Sequence, residues 1–176
     1  MGPRRLKQAA AGALIWSVLA IMTARADTAD VAPPFQYADR VVVKKSERKL
    51  YLMNNGEIMK SYEVQLGKQP VGHKREEGDL RTPEGIYRLG RRNSNSSYFL
   101  SIQVSYPNAQ DRSTARRRGV SPGGSIMIHG QPNEPVYSRA YYARRDWTDG
   151  CIAVSDTAIV EIWLLTRVGT PIEIQP

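Results

Sequence analysis

Arg40-Val41-Val42-Val43-Lys44-Lys45, followed by Lys49-Leu50-Tyr51-Leu52-Met53-Asn54-Asn55-Gly56-Glu57, is the stretch that decides the fold. The β-branched run favours extended backbone, the next segment alternates with period two, and the Asn-Gly step suits the positive φ of a tight hairpin turn. Extended by residues 57–66, this predicts a β-meander at the start of a folded domain. Further strands are expected at 86–89, 101–104, 125–128 and 170–174. Residues 67–85, rich in glycine and charge, read as a long loop, which in a compact domain is commonly functional. The polar stretch 106–119 also reads as loop. One helix is expected: Ser155-Asp156 offers an N-cap, Ile159, Ile162, Trp163 and Leu165 recur at helical spacing, and Gly169 stops it. The fold class is therefore mainly β with one clear helix.

Upstream, Arg4, Arg5 and Lys7 precede a small, apolar run from Ala9 to Met22 that ends at Ala24-Arg25-Ala26. That is the pattern of a secretory signal peptide with an Ala-x-Ala cleavage site, and the run is short for a membrane span. The expected organisation is a signal peptide at 1–26, a Pro-containing tether at 27–38 and one domain at 39–176, delivered to the periplasm. About 150 mature residues can build a single core without disulfide staples.

The chain has 25 basic and 17 acidic residues, a formal charge of +8. Loss of Arg4, Arg5, Lys7 and Arg25 with the signal would leave 21 against 17, near +4, so the raw balance overstates any case for nucleic acid. Arg91-Arg92, Arg116-Arg117-Arg118 and Arg144-Arg145 remain as clusters able to attract an anionic polymer or a carboxylate-bearing substrate.

Cys151 is the only cysteine. A lone thiol sent to an oxidising compartment cannot close an intramolecular disulfide, which points to chemistry. A nucleophilic cysteine needs a base and donors for the oxyanion. His129, one of two histidines, ends a strand and is the candidate base; the Gly130 carbonyl can orient its ring, and Gly150 lets the chain bend so that the Gly150 and Cys151 N–H groups point at a bound carbonyl. His73 reads as a loop or substrate-side residue. Two histidines and one cysteine leave a zinc site short of soft ligands, so no metal is expected. Residues 131–147 read as a flap carrying Tyr137, Tyr141, Tyr142 and Trp147 beside Arg144 and Arg145. Of these, Arg144, Arg145, Tyr142 and Trp147 are the candidate substrate-binding residues.

His129-Gly130 and Thr148-Asp149-Gly150-Cys151, together with Lys74-Arg75-Glu76-Glu77-Gly78-Asp79, Arg81-Thr82-Pro83-Glu84-Gly85-Ile86-Tyr87 and Ser105-Tyr106-Pro107-Asn108, resemble the L,D-transpeptidase catalytic-domain (YkuD-type) family. The family pattern is His, a spacer of under twenty residues, Ser or Thr, His, Gly, Cys. The likeness runs from about Val41 to Ile174. Two positions depart: Asp149 stands where the family has its second histidine, and Ala153 where an arginine is usual. The chain resembles a subgroup with Asp-Trp-Thr-Asp-Gly-Cys, and Arg144 or Arg145 is the candidate source of the missing positive charge. The Asp149 carboxylate, expected to turn away from the sulfur, has those arginines or a backbone amide as candidate partners.

The resemblance implies a mixed β-sandwich and no cofactor. It also implies attack by Cys151 on peptidoglycan stem peptides: the third-residue carbonyl is captured as a thioester, D-alanine leaves, and a neighbouring stem amine resolves the thioester to a 3→3 cross-link. Resolution by water would make an L,D-carboxypeptidase, and cleavage of a protein–wall bond an amide hydrolase that releases wall-anchored protein. A sortase-like reading wants a Thr-Leu-x-Thr-Cys strand and a downstream arginine, and a papain-like one places cysteine before histidine. The non-enzymatic alternative is a silent wall-binding module with Cys151 buried.

Overall fold

The computed structural model describes residues 1–2 and 36–176; the expected signal peptide and most of the expected tether lie outside the described residues. The described elements are β1 (Arg40–Lys44), β2 (Lys49–Asn54), β3 (Glu57–Glu63), β4 (Gly85–Ser96), β5 (Phe99–Val104), α1 (Ala109–Arg117), β6 (Met127–His129), α2 (Arg139–Arg144), β7 (Ile152–Ala153), α3 (Asp156–Leu165) and β8 (Pro171–Gln175). The meander forms as the sequence indicates. β1 and β2 pair antiparallel with Val41 opposite Leu52 and Val43 opposite Leu50, all four fully buried. Asn55 and Gly56 turn the chain at φ +51° and +85°, the left-handed pair that a two-residue hairpin loop requires.

The strands hydrogen-bond in the order β3-β2-β1-β8-β4-β5-β6-β7. The C-terminal β8 lies parallel to β1 and antiparallel to the first turn of pairing along β4, burying Ile172 and Ile174. β4 serves both halves: residues Gly85 to Arg88 pair with β8, while Leu89 to Ser96 pair with β5 across two register shifts. Bulges of this kind bend a strand and raise its twist. The far edge is met by the segment leaving β3, where Gln65 and Ala153 exchange backbone hydrogen bonds of 2.9 and 2.8 Å. Leu50, Leu66, Leu89, Ile102, Ile128 and Ile152 fill an apolar core with Ile159 and Ile162 of α3. Burial of this kind stabilises by about 1.5–3 kcal/mol per large aliphatic side chain.

α3 begins at the Ser155 cap, which accepts from Ala158 N–H at 3.1 Å. It ends at Leu165 rather than near Gly169, because Thr166 turns extended and Gly169 instead makes the turn into β8. Two further helices correct the expectation of one. α1 occupies the stretch read as loop, held by an Asn108–Asp111 capping box and burying only Asp111 and Ala115. α2 is six residues capped by Ser138, with Tyr142 alone buried. Neither has an apolar stripe, so periodicity could not reveal them.

The long 67–84 segment is tied down by buried ammonium groups. Lys45 Nζ donates to Gly72 O, Thr82 O and Glu84 Oε1 at 2.7, 3.1 and 2.8 Å. Lys74 Nζ, 3% exposed, donates to Asp79 Oδ1 at 2.8 Å and Glu76 O at 3.1 Å. His73 is structural here: its Nδ1 accepts from Glu84 N–H and its Nε2 lies 3.3 Å from Asp111.

Candidate active site

Cys151 and His129 are brought together by the parallel pairing of β6 with β7, which sets Ile128 against Ile152 and His129 against Ala153. Cys151 is two residues before Ala153, so period-two alternation sends its side chain to the same face as that of His129. Both line a cleft of ≈ 600 Å³ whose wall also includes Lys68, Tyr98, Ser125, Trp147 and Asp149.

His129 is 4% exposed and fixed on several sides. Its Nδ1 lies 2.7 Å from Gly130 O, an arrangement in which Nδ1 carries the proton and Nε2 is the basic nitrogen. Gly130 is closely packed: a Cβ there would sit 2.5 Å from Asp156 Oδ1 and 3.1 Å from Phe99 Cβ, so a larger residue would have to displace the Asp156 side chain. Tyr98 packs on the imidazole at 4.6 Å between ring centres and Trp147 meets it edge-on at 5.6 Å. Burial pulls the imidazole pKa down, opposed by the Gly130 carbonyl.

The Cys151 thiol points at Ser125 O, 3.5 Å away. Burial pushes its pKa up; the Met127 N–H opposes this, the Asp149 charge adds to it, and the Lys74 charge opposes it. Burial thus works against the charged form of both groups, disfavouring a preformed thiolate–imidazolium pair.

The turn before the thiol is built by Thr148, whose hydroxyl donates to Cys151 O at 2.8 Å and accepts the Gly150 N–H at 3.1 Å. Gly150 has φ +130° and a Cβ there would lie 2.7 Å from Arg81 O. This corrects the expected role of Gly150 as an oxyanion donor: its N–H is already committed to Thr148, and the glycine serves close packing on the 67–84 segment.

Of the expected substrate-binding residues, only Trp147 reaches the cleft. Tyr142 is buried behind it, ring centres 5.0 Å apart, with its hydroxyl accepting the Val136 N–H at 3.2 Å. Arg144 and Arg145 are exposed and do not line the cleft; Arg145 stacks over Tyr141 at 5.8 Å. The cation of the cleft is Lys68, and it is Lys68 Nζ, at 2.9 Å, that holds the Asp149 carboxylate instead of an arginine. Lys68 is placed by its own N–H, which donates to Thr148 O at 3.0 Å. Sequence spacing carried no sign of it, since the two partners lie 81 residues apart. Tyr98 was equally hidden, being delivered by the β4–β5 turn.

Because the Asp149 charge is engaged by Lys68 and both are half exposed or more, its effect on the thiol is screened. Asp149→Asn is expected to raise the rate of iodoacetamide labelling of Cys151 at neutral pH by only about a few-fold, the scale of a screened surface charge; a gain of about a hundredfold would mean that the carboxylate faces the sulfur.

Among the described residues no three His, Cys, Asp or Glu side chains gather where they could hold a metal ion. Comparison with known proteins gives the assignment. YafK of Escherichia coli K12, which carries a provisional L,D-transpeptidase name, is 32% identical over 96 residues, covering 51% of this chain and 37% of that protein. The solved structure of the helical cell shape determining protein Pgp2 from Campylobacter jejuni matches 77% of this chain and 46% of its own at 28% identity, TM-score 0.58. Bd1075 of Bdellovibrio bacteriovorus matches 80% and 51% at 27% identity, TM-score 0.53. The chain thus spans between a third and about half of the length of these relatives. Residues 38–174 match the family of the L,D-transpeptidase catalytic domain (YkuD), nearly the whole described domain, and the chain belongs to that family.

Proposed function

We propose that this chain is an exported cysteine acyltransferase that acts on peptidoglycan stem peptides in the periplasm. The observation that carries the reading is the shared cleft of Cys151 and His129, with His129 Nδ1 held by Gly130 O so that Nε2 is the nitrogen free to exchange a proton. Nε2 takes the thiol proton as Sγ bonds to the third-residue carbonyl carbon. The proton then passes to the departing amine, D-alanine leaves, and a thioester remains. Of the two expected donors, the Cys151 N–H, next to the turn that Thr148 closes, serves the oxyanion, while that of Gly150 stays with Thr148. A stem amine resolves the thioester to a 3→3 cross-link, with His129 accepting the amine proton. The sequence signals at Arg4-Arg5 and Ala24-Arg25-Ala26 support export.

Incubating the mature domain with disaccharide tetrapeptides and resolving products by mass is the test. The expected products are free D-alanine and a cross-linked dimer. D-alanine without dimer would replace the transferase by an L,D-carboxypeptidase. No reaction, with Cys151 alkylated only after denaturation, would replace the enzyme by a wall-binding module.

A further inference from the structure

The Lys68–Asp149 pair is unusual for its position. Among the ion pairs of the described residues, it is the one with both members in the wall of the Cys151 cleft. Exposed pairs contribute little to stability, and the Asp149 charge works against thiolate formation, so neither stability nor nucleophile activation accounts for a carboxylate there. The two residues are also carried on backbones that are tied together. Gly67 and Thr148 form a parallel bridge, and the Lys68 N–H donates to Thr148 O, which fixes the Lys68 and Asp149 backbones side by side. Lys68 Nζ spends one N–H on Asp149 Oδ1, leaving two donors, and Asp149 Oδ2 accepts no hydrogen bond among the described residues. Asn93, Asn95, Ser96 and Ser97, elsewhere on the wall, are neutral.

We propose that the Lys68–Asp149 pair reads a zwitterionic amino-acid head group, an ammonium and a carboxylate on one carbon, carried by the side chain of the peptide that enters the cleft. The inference rests on the acyl-transfer reading and adds to it the feature by which substrate is chosen. A ligand with only a carboxylate gains Lys68 but must face Asp149; one with only an ammonium gains Asp149 but must face Lys68. A head group bearing both satisfies both, so the pair rejects singly charged ligands as well as accepting the zwitterion. The paired charges lie at the cleft that holds the thiol, which also orients the bound peptide toward Sγ.

The test uses the mature protein and three tetrapeptides whose third residue is diaminopimelate: with the side-chain head group free, with its carboxylate as the carboxamide, and with its amine acetylated. D-Alanine release is expected to be roughly tenfold faster in kcat/KM for the free form than for either derivative, the scale of one charge-assisted hydrogen bond, carried by KM. Lys68→Met should erase the preference over the carboxamide and keep that over the acetylated form; Asp149→Asn should do the converse. Equal rates for all three peptides with the parent, or uniform losses in both variants, overturn the inference and leave the acyl-transfer reading standing. If the parent releases D-alanine from none of them, the acyl-transfer reading fails, and this one with it.

Discussion

Cys151→Ala is expected to lower D-alanine release from a tetrapeptide by about 10⁴-fold or more, to the level that binding and oxyanion donation alone can sustain, with the melting temperature little changed, since the side chain lies in a cleft rather than in the packed core. His129→Asn should cost on the order of 10²–10⁴-fold, the range of a lost general base. The two variants differ in pH behaviour. The folded imidazole titrates below its ordinary value, chiefly through burial, and in the proposed mechanism its neutral form accepts the thiol proton. The acid limb of kcat/KM therefore falls below the ordinary histidine range, and activity holds through mildly acidic pH. The thiol titrates above its ordinary value, again chiefly through burial, so iodoacetamide labelling should climb steadily into the alkaline range with no plateau on the acid side. A preformed thiolate–imidazolium pair would instead label rapidly at pH 5; that result would overturn the neutral-pair mechanism. In His129→Asn, labelling should survive only at alkaline pH, where the sulfur ionises unaided.

What the sequence disclosed followed from local physics. The Asn55-Gly56 turn, the alternation of Val41, Val43, Leu50 and Leu52, and the Ser155 cap ahead of Ile159 and Ile162 each depend on residues near one another in the chain. Cys151 and His129 stood out by rarity and by the glycines beside them. What stayed hidden was held by contacts distant in sequence or by polar groups without a period. α1 rests on a capping box, and the second half of β4 is a polar run from Arg91 to Ser96 whose strand character comes from pairing with β5. Arg144 and Arg145 drew attention as a charge pair close to Cys151 in sequence, yet α2 places them on the exposed side, while Lys68 arrives across a backbone bridge that no spacing encodes. Gly150 shows the limit of reading a glycine by type: its flexibility was legible, but the engagement of its N–H by Thr148 was not.

Gly67→Ala should be the most damaging substitution outside the thiol and imidazole, although Gly67 has no chemistry of its own. A Cβ at this position would lie 2.1 Å from Leu80 O, 2.9 Å from the Leu80 carbonyl carbon and 3.1 Å from Gly150 Cα. All three are backbone atoms, so no rotamer change relieves the contact and one chain must move away from the other. Retreat of Leu80 breaks the Gln69 N–H bond to Leu80 O, 3.0 Å long, and strains the Gly67 N–H bond to the Thr82 hydroxyl. Retreat of Gly150 displaces the turn that aims Cys151. Overpacking of a well-filled site costs about 1–3 kcal/mol and more when backbone is struck, which for a domain of this size lowers the melting temperature by on the order of 5–10 °C. Activity should fall further than stability, because a shift of about 1 Å at the nucleophile can cost about 10²-fold. Gly124→Ala is the matched control: its Cβ would meet nothing nearer than Pro107 Cδ at 4.0 Å, and both the melt and the D-alanine assay should match the parent. If Gly67→Ala also melts and reacts like the parent, the 67–84 segment does not brace the Cys151 turn, and the buried Lys45 and Lys74 ammonium groups anchor a segment that has no positioning role there.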